Sequence, residues 1–93
     1  MIITGASEKQ ITWAQEIVKN WRSGLTTELD IVNKRNASGD QLEWFAENLE
    51  KAVAKFDEAI EKISVKQVIE LHTAKRSPVG KMINQSRIKP GAL

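Results

Sequence analysis

Few side chains in this sequence are suited to catalysis. His72 is the only histidine, and the 93 residues include neither cysteine nor tyrosine. Transition metals are held by sets of three or four Cys, His or carboxylate ligands, and a single histidine does not complete such a set. Gly80-Lys81 lacks the earlier glycine and the following Ser or Thr of a phosphate-binding loop. The sequence therefore predicts no metal, no cofactor and no enzymatic activity.

Binding is the chemistry that remains, and the tryptophans are the first candidates for it. Trp44 has the acidic residues Glu43, Glu47 and Glu50 close to it in sequence. Tryptophan is enriched in binding hot spots, and carboxylates complement a basic partner surface. These four residues are our predicted protein-binding site. The alternative is that later segments of the chain fold over Trp13 and Trp44 and bury them.

The charge of the chain is unevenly distributed. Residues 1–63 carry 8 basic and 11 acidic residues, whereas residues 64–93 carry 6 basic and 1 acidic residue. A basic segment of this kind can neutralise phosphates, although no aromatic residue alternates with its charges for base stacking. Nucleic-acid binding by this segment is therefore an alternative function. Its candidate residues are Lys75, Arg76, Lys81, Arg87 and Lys89.

These side chains must be positioned by helices, because no segment has the alternating pattern of a strand. Ser7 and Gln10 have the spacing of a capping box, which predicts that a first helix begins there. An apolar seam follows at heptad spacing and predicts a helix over 7–36. Its positions are Ile11, Ala14, Val18, Trp21, Leu25 and Val32, with Glu28 as the one polar interruption. Gly24 is a candidate kink, but the seam keeps its phase across it and favours a continuous helix.

Three further segments complete the predicted organisation of a single domain over 1–93. A turn at 36–40 and a capping-box spacing from Asp40 to Glu43 predict a second helix over 40–63. Its apolar face is wide enough to contact two neighbours. Ser64 and Gln67 predict a third helix over 65–76, ending before Pro78. The remaining segment, 78–93, is predicted to be weakly structured.

The predicted fold class is all-α, with a long antiparallel helical hairpin and a short third helix. A hairpin alone would leave apolar surface exposed, so the third helix, a second copy of the chain or another protein must cover it. Homodimerisation through the wide face of helix 40–63 would complete a dimeric bundle. A self-assembling bundle without another partner is a third interpretation of the function.

The segment TGASEKQITWAQEI at residues 4–17 resembles the opening of a group of small helical proteins. These proteins are encoded by phages, prophages and other mobile elements, mainly of Gram-positive bacteria, and typically begin Gly-Ser/Thr-x-Lys-Gln-Ile-x-Trp-Ala-Glu-x-Ile. This chain has an additional Ala6 and an inserted Gln15, and it lacks the Trp-Ile-Asp-x-Arg ending except for Arg87. The matching residues are Gly5, Ser7, Lys9, Gln10, Ile11, Trp13, Ala14, Glu16 and Ile17.

The resemblance implies a small accessory protein of a mobile genome, and it implies that Trp13 is a shared structural residue that belongs to the core. We therefore expect a non-enzymatic protein-binding factor, for example an inhibitor of a host defence protein. The absence of cysteine suits the reducing cytoplasm. The sequence also lacks a signal-peptide pattern and any run of eighteen apolar residues, so we expect neither secretion by that route nor membrane insertion.

Overall fold

The computed structural model describes residues 1–89 and 91 and contains four α-helices in that part of the chain. They are α1 (Glu8–Ala37), α2 (Glu43–Lys62), α3 (Val65–Thr73) and α4 (Pro78–Ser86). These residues form no strand, and Ile2 makes only an isolated parallel bridge to Ser64. The predicted all-α class is confirmed.

The first helix begins at the predicted capping box. The Ser7 hydroxyl accepts a hydrogen bond from the Gln10 N–H at 3.2 Å, and the Ser7 N–H donates to Gln10 Oε1 at 3.0 Å. The helix continues without a break through Gly24. A β-carbon at Gly24 would lie 3.1 Å from Cγ1 of Val79 on α4, so the glycine allows α4 to approach α1 closely. This packing role, and not a kink, accounts for the glycine.

The second helix begins three residues later than predicted, and the predicted cap at Asp40 is wrong. Gly39 and Gln41 both have positive φ, +97° and +54°, which a right-handed helix cannot include. Asp40 instead accepts a hydrogen bond from Nε of Arg35 at 3.0 Å. The Leu42 N–H, at the start of α2, donates to Oδ1 of Asn36 at 3.1 Å.

The hairpin of α1 and α2 is fastened by a two-point ion pair. Nε of Arg22 lies 2.9 Å from Oδ1 of Asp57, and Nη2 lies 3.0 Å from Oδ2. This hydrogen bonding lowers the pKa of Asp57. Burial opposes it with a smaller effect, and the attraction of the guanidinium charge adds the smallest contribution to the lowering. Because a five-residue turn joins the helices and the pair lies about four turns from it on both of them, α2 runs antiparallel to α1.

The C-terminal half contains more helix than we predicted. The third helix ends at Thr73 rather than at residue 76, since Lys75 has a left-handed φ of +56°. The segment 78–93 is not weakly structured throughout, because Pro78–Ser86 forms α4. Pro78 occupies the first turn, where its missing N–H costs nothing, and the Ser77 hydroxyl accepts from the Val79 N–H at 3.3 Å. Residues 90, 92 and 93 of that prediction lie outside the described residues.

The core consists of two clusters of buried side chains. The larger contains Ala14, Ile17, Trp21, Leu25, Phe56, Val65 and Val68, and the smaller contains Val32, Phe45, Ala46 and Leu49. Ile83 of α4 packs against both clusters, so α4 joins the two halves of the core. Helix α1 packs against each of the other three helices, and α4 also packs against α2.

The wide face of α2 is used inside the monomer. Phe45, Leu49, Ala52 and Phe56 are buried in a single chain, where α2 packs against α1 and α4. Helix α4 thus covers part of the face through which we predicted homodimerisation, and homodimerisation itself stays a prediction.

Candidate functional site

Trp13 is the most exposed tryptophan-bearing position on the molecule and is the centre of the candidate site. Its side chain is 46% exposed, and it belongs to neither core cluster. Nine residues separate it from Arg22, so at about 100° per residue the two side chains leave α1 in opposite directions. Since Arg22 binds Asp57 of α2, Trp13 points away from α2.

On that side of α1, the indole of Trp13 meets His72 of α3. The two ring centroids are 5.9 Å apart and the rings are inclined by 86°, which is an edge-to-face contact. His72 is itself exposed, so the pair forms a surface feature and not part of the core. An edge contact of this kind orients the indole and leaves much of its area available to a partner.

The remaining surroundings of Trp13 are polar and come from two turns of α1. Glu8, Lys9, Thr12 and Glu16 line a shallow depression beside the indole, and all four are exposed. Both signs of charge and a hydroxyl are therefore present around one aromatic side chain. An apolar anchor with a polar rim is the usual composition of a protein–protein contact.

The expectation that Trp13 belongs to the core is wrong, and the heptad pattern already contained the signal. Trp13 lies off the seam, at a position where a surface helix presents side chains to water. Trp21, which lies on the seam, is 7% exposed and belongs to the larger cluster, as predicted.

Trp44 is partly buried by its own chain. Its ring stacks on Phe45 with centroids 5.6 Å apart and an angle of 20°, and the side chain packs against the smaller core cluster. At about 100° per residue, Glu43 and Glu50 lie roughly 100° and 120° around α2 from Trp44. Glu47 lies on the same side and closer, roughly 60° from Trp44, so Trp44 lies at the border of the acidic side of the helix.

The acidic residues of α2 form a face of their own. Six carboxylates lie within an arc of about 100° when placed at helical spacing. They are Glu43, Glu47, Glu50, Asp57, Glu58 and Glu61. Asp57 is held by Arg22, and Glu58 lies 3.7 Å from Lys62. The three predicted residues Glu43, Glu47 and Glu50 are exposed.

The basic residues of the alternative site are all exposed but differ in their surroundings. Lys75 and Arg76 lie in the connection between α3 and α4, Lys81 lies on α4, and Lys89 follows α4. Arg87 ends α4, and its Nη2 lies 3.7 Å from Oε1 of the partly buried Glu28. Glu28, the one polar residue in the apolar seam of α1, thus pairs with Arg87 of the C-terminal segment.

Residues 1–89 and 91 contain no group of three or more His, Cys, Asp or Glu side chains placed to hold a metal ion. None of the helices in this part of the chain is long and apolar enough to cross a membrane. Comparisons with protein families, with curated proteins and with solved structures returned no significant match. The function of the chain is therefore inferred from the surfaces of the molecule.

Proposed function

We propose that this chain is a non-enzymatic protein-binding factor and that Trp13 anchors its contact with the partner. The observation that carries the proposal is the 46% exposure of the Trp13 side chain. Burying an exposed indole removes a large apolar area from water, which is why tryptophan dominates so many binding hot spots. The larger core cluster contains Trp21 as its tryptophan, and Trp13 is not part of it.

The surroundings of Trp13 support a protein as the partner. Glu8 and Glu16 offer acceptors, Lys9 offers donors, and Thr12 offers both, so the rim can pair with polar groups of either kind. A membrane surface would favour a uniformly basic rim, and this one carries two carboxylates. The edge-to-face contact with His72 orients the indole, which reduces the entropy cost of binding.

The biological setting comes from the resemblance of residues 4–17 to phage and mobile-element proteins. We infer that the chain is an accessory factor of such an element and that its partner is a host protein, with inhibition of a defence protein as the specific hypothesis. The exposed residues Glu43, Glu47 and Glu50 on α2 remain the predicted contacts to a basic surface of that partner. They lie in the first half of α2, near the C-terminal end of α1, whereas Trp13 lies near the N-terminal end of α1, so the two surfaces are testable separately.

The test begins with the solution state of the purified chain, measured by size-exclusion chromatography with light scattering and by iodide quenching of tryptophan fluorescence. A monomer in which one tryptophan is quenched, and in which Trp13→Phe removes the quenched component, supports the proposal. An oligomer that protects all three tryptophans would assign the Trp13 surface to self-association and overturn the proposal of a separate partner.

The decisive measurement is the affinity for a partner identified by affinity capture and then purified. We expect Trp13→Ala to weaken binding by about 2 kcal/mol or more, as for a hot-spot residue. Ile31→Ala is the matched control, because Ile31 is 47% exposed on the same helix but 18 residues away. Glu16→Arg changes the rim without touching the core. Equal affinity for wild type, Trp13→Ala and Glu16→Arg would refute the proposal.

Nucleic-acid binding is the second candidate, because Lys75, Arg76, Lys81 and Lys89 are exposed and make no ion pair with any described residue. Reversing the charges of Lys75 and Arg76 should then abolish retention of DNA or RNA and flatten its dependence on salt. Retention that is unchanged by this double reversal would exclude the candidate.

A further inference from the structure

A groove of about 380 Å³ lies on the surface along the contact between α2 and α4, and Trp13 does not line it. Ala52, Met82 and Ile88 supply its apolar lining, and the side chain of Ile88 is 49% exposed. Lys51, Lys55 and Gln85 supply its polar edge. The groove therefore combines exposed apolar area with positive charge.

Hydrogen bonds hold the two walls of the groove in place. Nδ2 of Asn48 on α2 donates to the carbonyl oxygen of Ser86 at 3.1 Å and to that of Ile88 at 3.4 Å. The buried Ser86 hydroxyl donates in turn to the Met82 carbonyl oxygen at 2.8 Å. These bonds fix the end of α4 against α2, so the groove exists before any ligand binds, and binding does not have to order it.

The charge of the groove is of one sign. Lys51 and Lys55 are the charged residues among the described residues that line it, and no carboxylate accompanies them. The sequence favours an ion pair between Glu47 and Lys51, but no such pair forms within 4.0 Å, whereas Glu58 and Lys62 are 3.7 Å apart. Both groove lysines are exposed, and neither makes an ion pair within the described part of the chain.

We propose that this groove binds an acidic amphipathic segment of a partner protein. Lys51 and Lys55 lie one turn apart on α2, separated by about 6 Å along the helix axis, and therefore suit two carboxylates spaced by one turn of a bound helix. An apolar side chain between those carboxylates packs on Met82 and Ile88. Nucleic acid would use the lysines but not the apolar lining, and the described residues that line the groove include no aromatic side chain for base stacking.

This binding is independent of the proposed function, because the groove belongs to α2 and α4 and Trp13 belongs to α1. The test uses the full chain and a labelled synthetic helical peptide with glutamates at i and i+4 and leucines at i+3 and i+7, which share one side of the helix. Fluorescence anisotropy measures its affinity, and amide chemical shifts locate its site. The comparison ligands are a scrambled peptide of the same composition, a peptide with lysines in place of the glutamates, and a single-stranded oligonucleotide.

We expect shifts confined to α2 and α4, and weakening by about tenfold or more for Lys51→Glu with Lys55→Glu. The matched control is Lys19→Glu with Lys66→Glu, which makes the same charge change at exposed positions on α1 and α3 and should change affinity less than about twofold. Met82→Ala should also weaken binding of the peptide, whereas Trp13→Ala should leave its affinity unchanged.

Three results would overturn the inference. The first is no peptide binding up to about 1 mM, the weakest affinity that counts as recognition. The second is an equal loss of affinity when the charges are reversed at Lys51 and Lys55 and when they are reversed at the control positions Lys19 and Lys66. Equal binding of the scrambled peptide counts the same way, because either result shows general charge attraction and no specific site. The third is tighter binding of the oligonucleotide with the same dependence on Lys51 and Lys55, which would assign the groove to nucleic acid.

Discussion

Replacement of Gly24 by alanine tests the position of α4 on α1. In a helix interior, alanine is more favourable than glycine by about 1 kcal/mol. The new β-carbon, however, would lie 3.1 Å from Cγ1 of Val79, which is closer than side-chain carbons normally approach. Val79 must then shift, at a cost of the same order as the helix gain. We therefore expect Gly24→Ala to change the free energy of unfolding by less than about 0.5 kcal/mol.

Shortening Val79 separates the two effects. Val79→Ala removes two partly buried methyl groups and should itself cost about 1 kcal/mol. In that background the contact at position 24 is relieved, and Gly24→Ala should stabilise the protein by about 1 kcal/mol. The double-mutant cycle should then give a coupling of roughly 0.5–1 kcal/mol. Urea denaturation followed by circular dichroism at 222 nm measures all four proteins.

Gly80→Ala is the control for the glycine effect alone. Gly80 also lies in a helix, but a β-carbon there would meet nothing within 4 Å. We expect Gly80→Ala to stabilise the protein by roughly 0.5–1 kcal/mol both in the wild type and in the Val79→Ala background. If Gly24→Ala stabilised the wild type as much as it stabilises the Val79→Ala variant, Val79 would not contact Gly24, and the packing of α4 described above would be refuted.

Two further predictions concern a helix cap and an ion pair. Ser64→Ala should cost about 1 kcal/mol, because the hydroxyl of Ser64 accepts from the Gln67 N–H at 3.2 Å and caps α3. Ser38→Ala removes only the hydrogen bond that the Ser38 hydroxyl donates to the Lys34 carbonyl oxygen in the last turn of α1 and should cost less, and equal costs in urea denaturation would contradict the capping role. Arg22 lowers the pKa of Asp57 below its ordinary value of 3.8, so the pair stabilises the fold above that pH and loses this contribution as the pH falls through the lowered pKa. The difference in Tm between wild type and Asp57→Asn should therefore disappear once the pH is below the lowered pKa of Asp57, and it should shrink in high salt. A difference in Tm that persists in acid would refute the stabilising role of the ion pair.

The sequence predicted those parts of the fold that local patterns determine. The heptad seam and the capping box at Ser7 defined α1 because a long amphipathic helix carries many repeats of its signal. Burial of Ile17, which lies off that seam, was not predicted. Helix α3 packs on α1 beside α2, so the buried arc of α1 extends around to Ile17.

What the sequence did not predict depends on contacts between distant residues. Nine residues form α4, which is too short to be stable alone, and its Val79 and Ile83 become informative only when α1 and α2 are present to pack against. The cap at Asp40 failed because Arg35 competes for the same carboxylate. For the candidate site, the seam placed Trp13 outside the core, but only the tertiary structure could place His72 against it.

The central position of α1 restricts how its sequence can change over evolutionary time. A substitution on α2, α3 or α4 must suit one or two neighbouring helices, whereas α1 packs against all three. Leu25 is fully buried, and its neighbour Gly24 packs closely against Val79. Neither position can therefore accept a side chain of much different volume. We expect substitutions to accumulate slowly on the buried side of this helix and faster on the outward faces of α3 and α4, so those outward faces can diverge while the scaffold stays fixed.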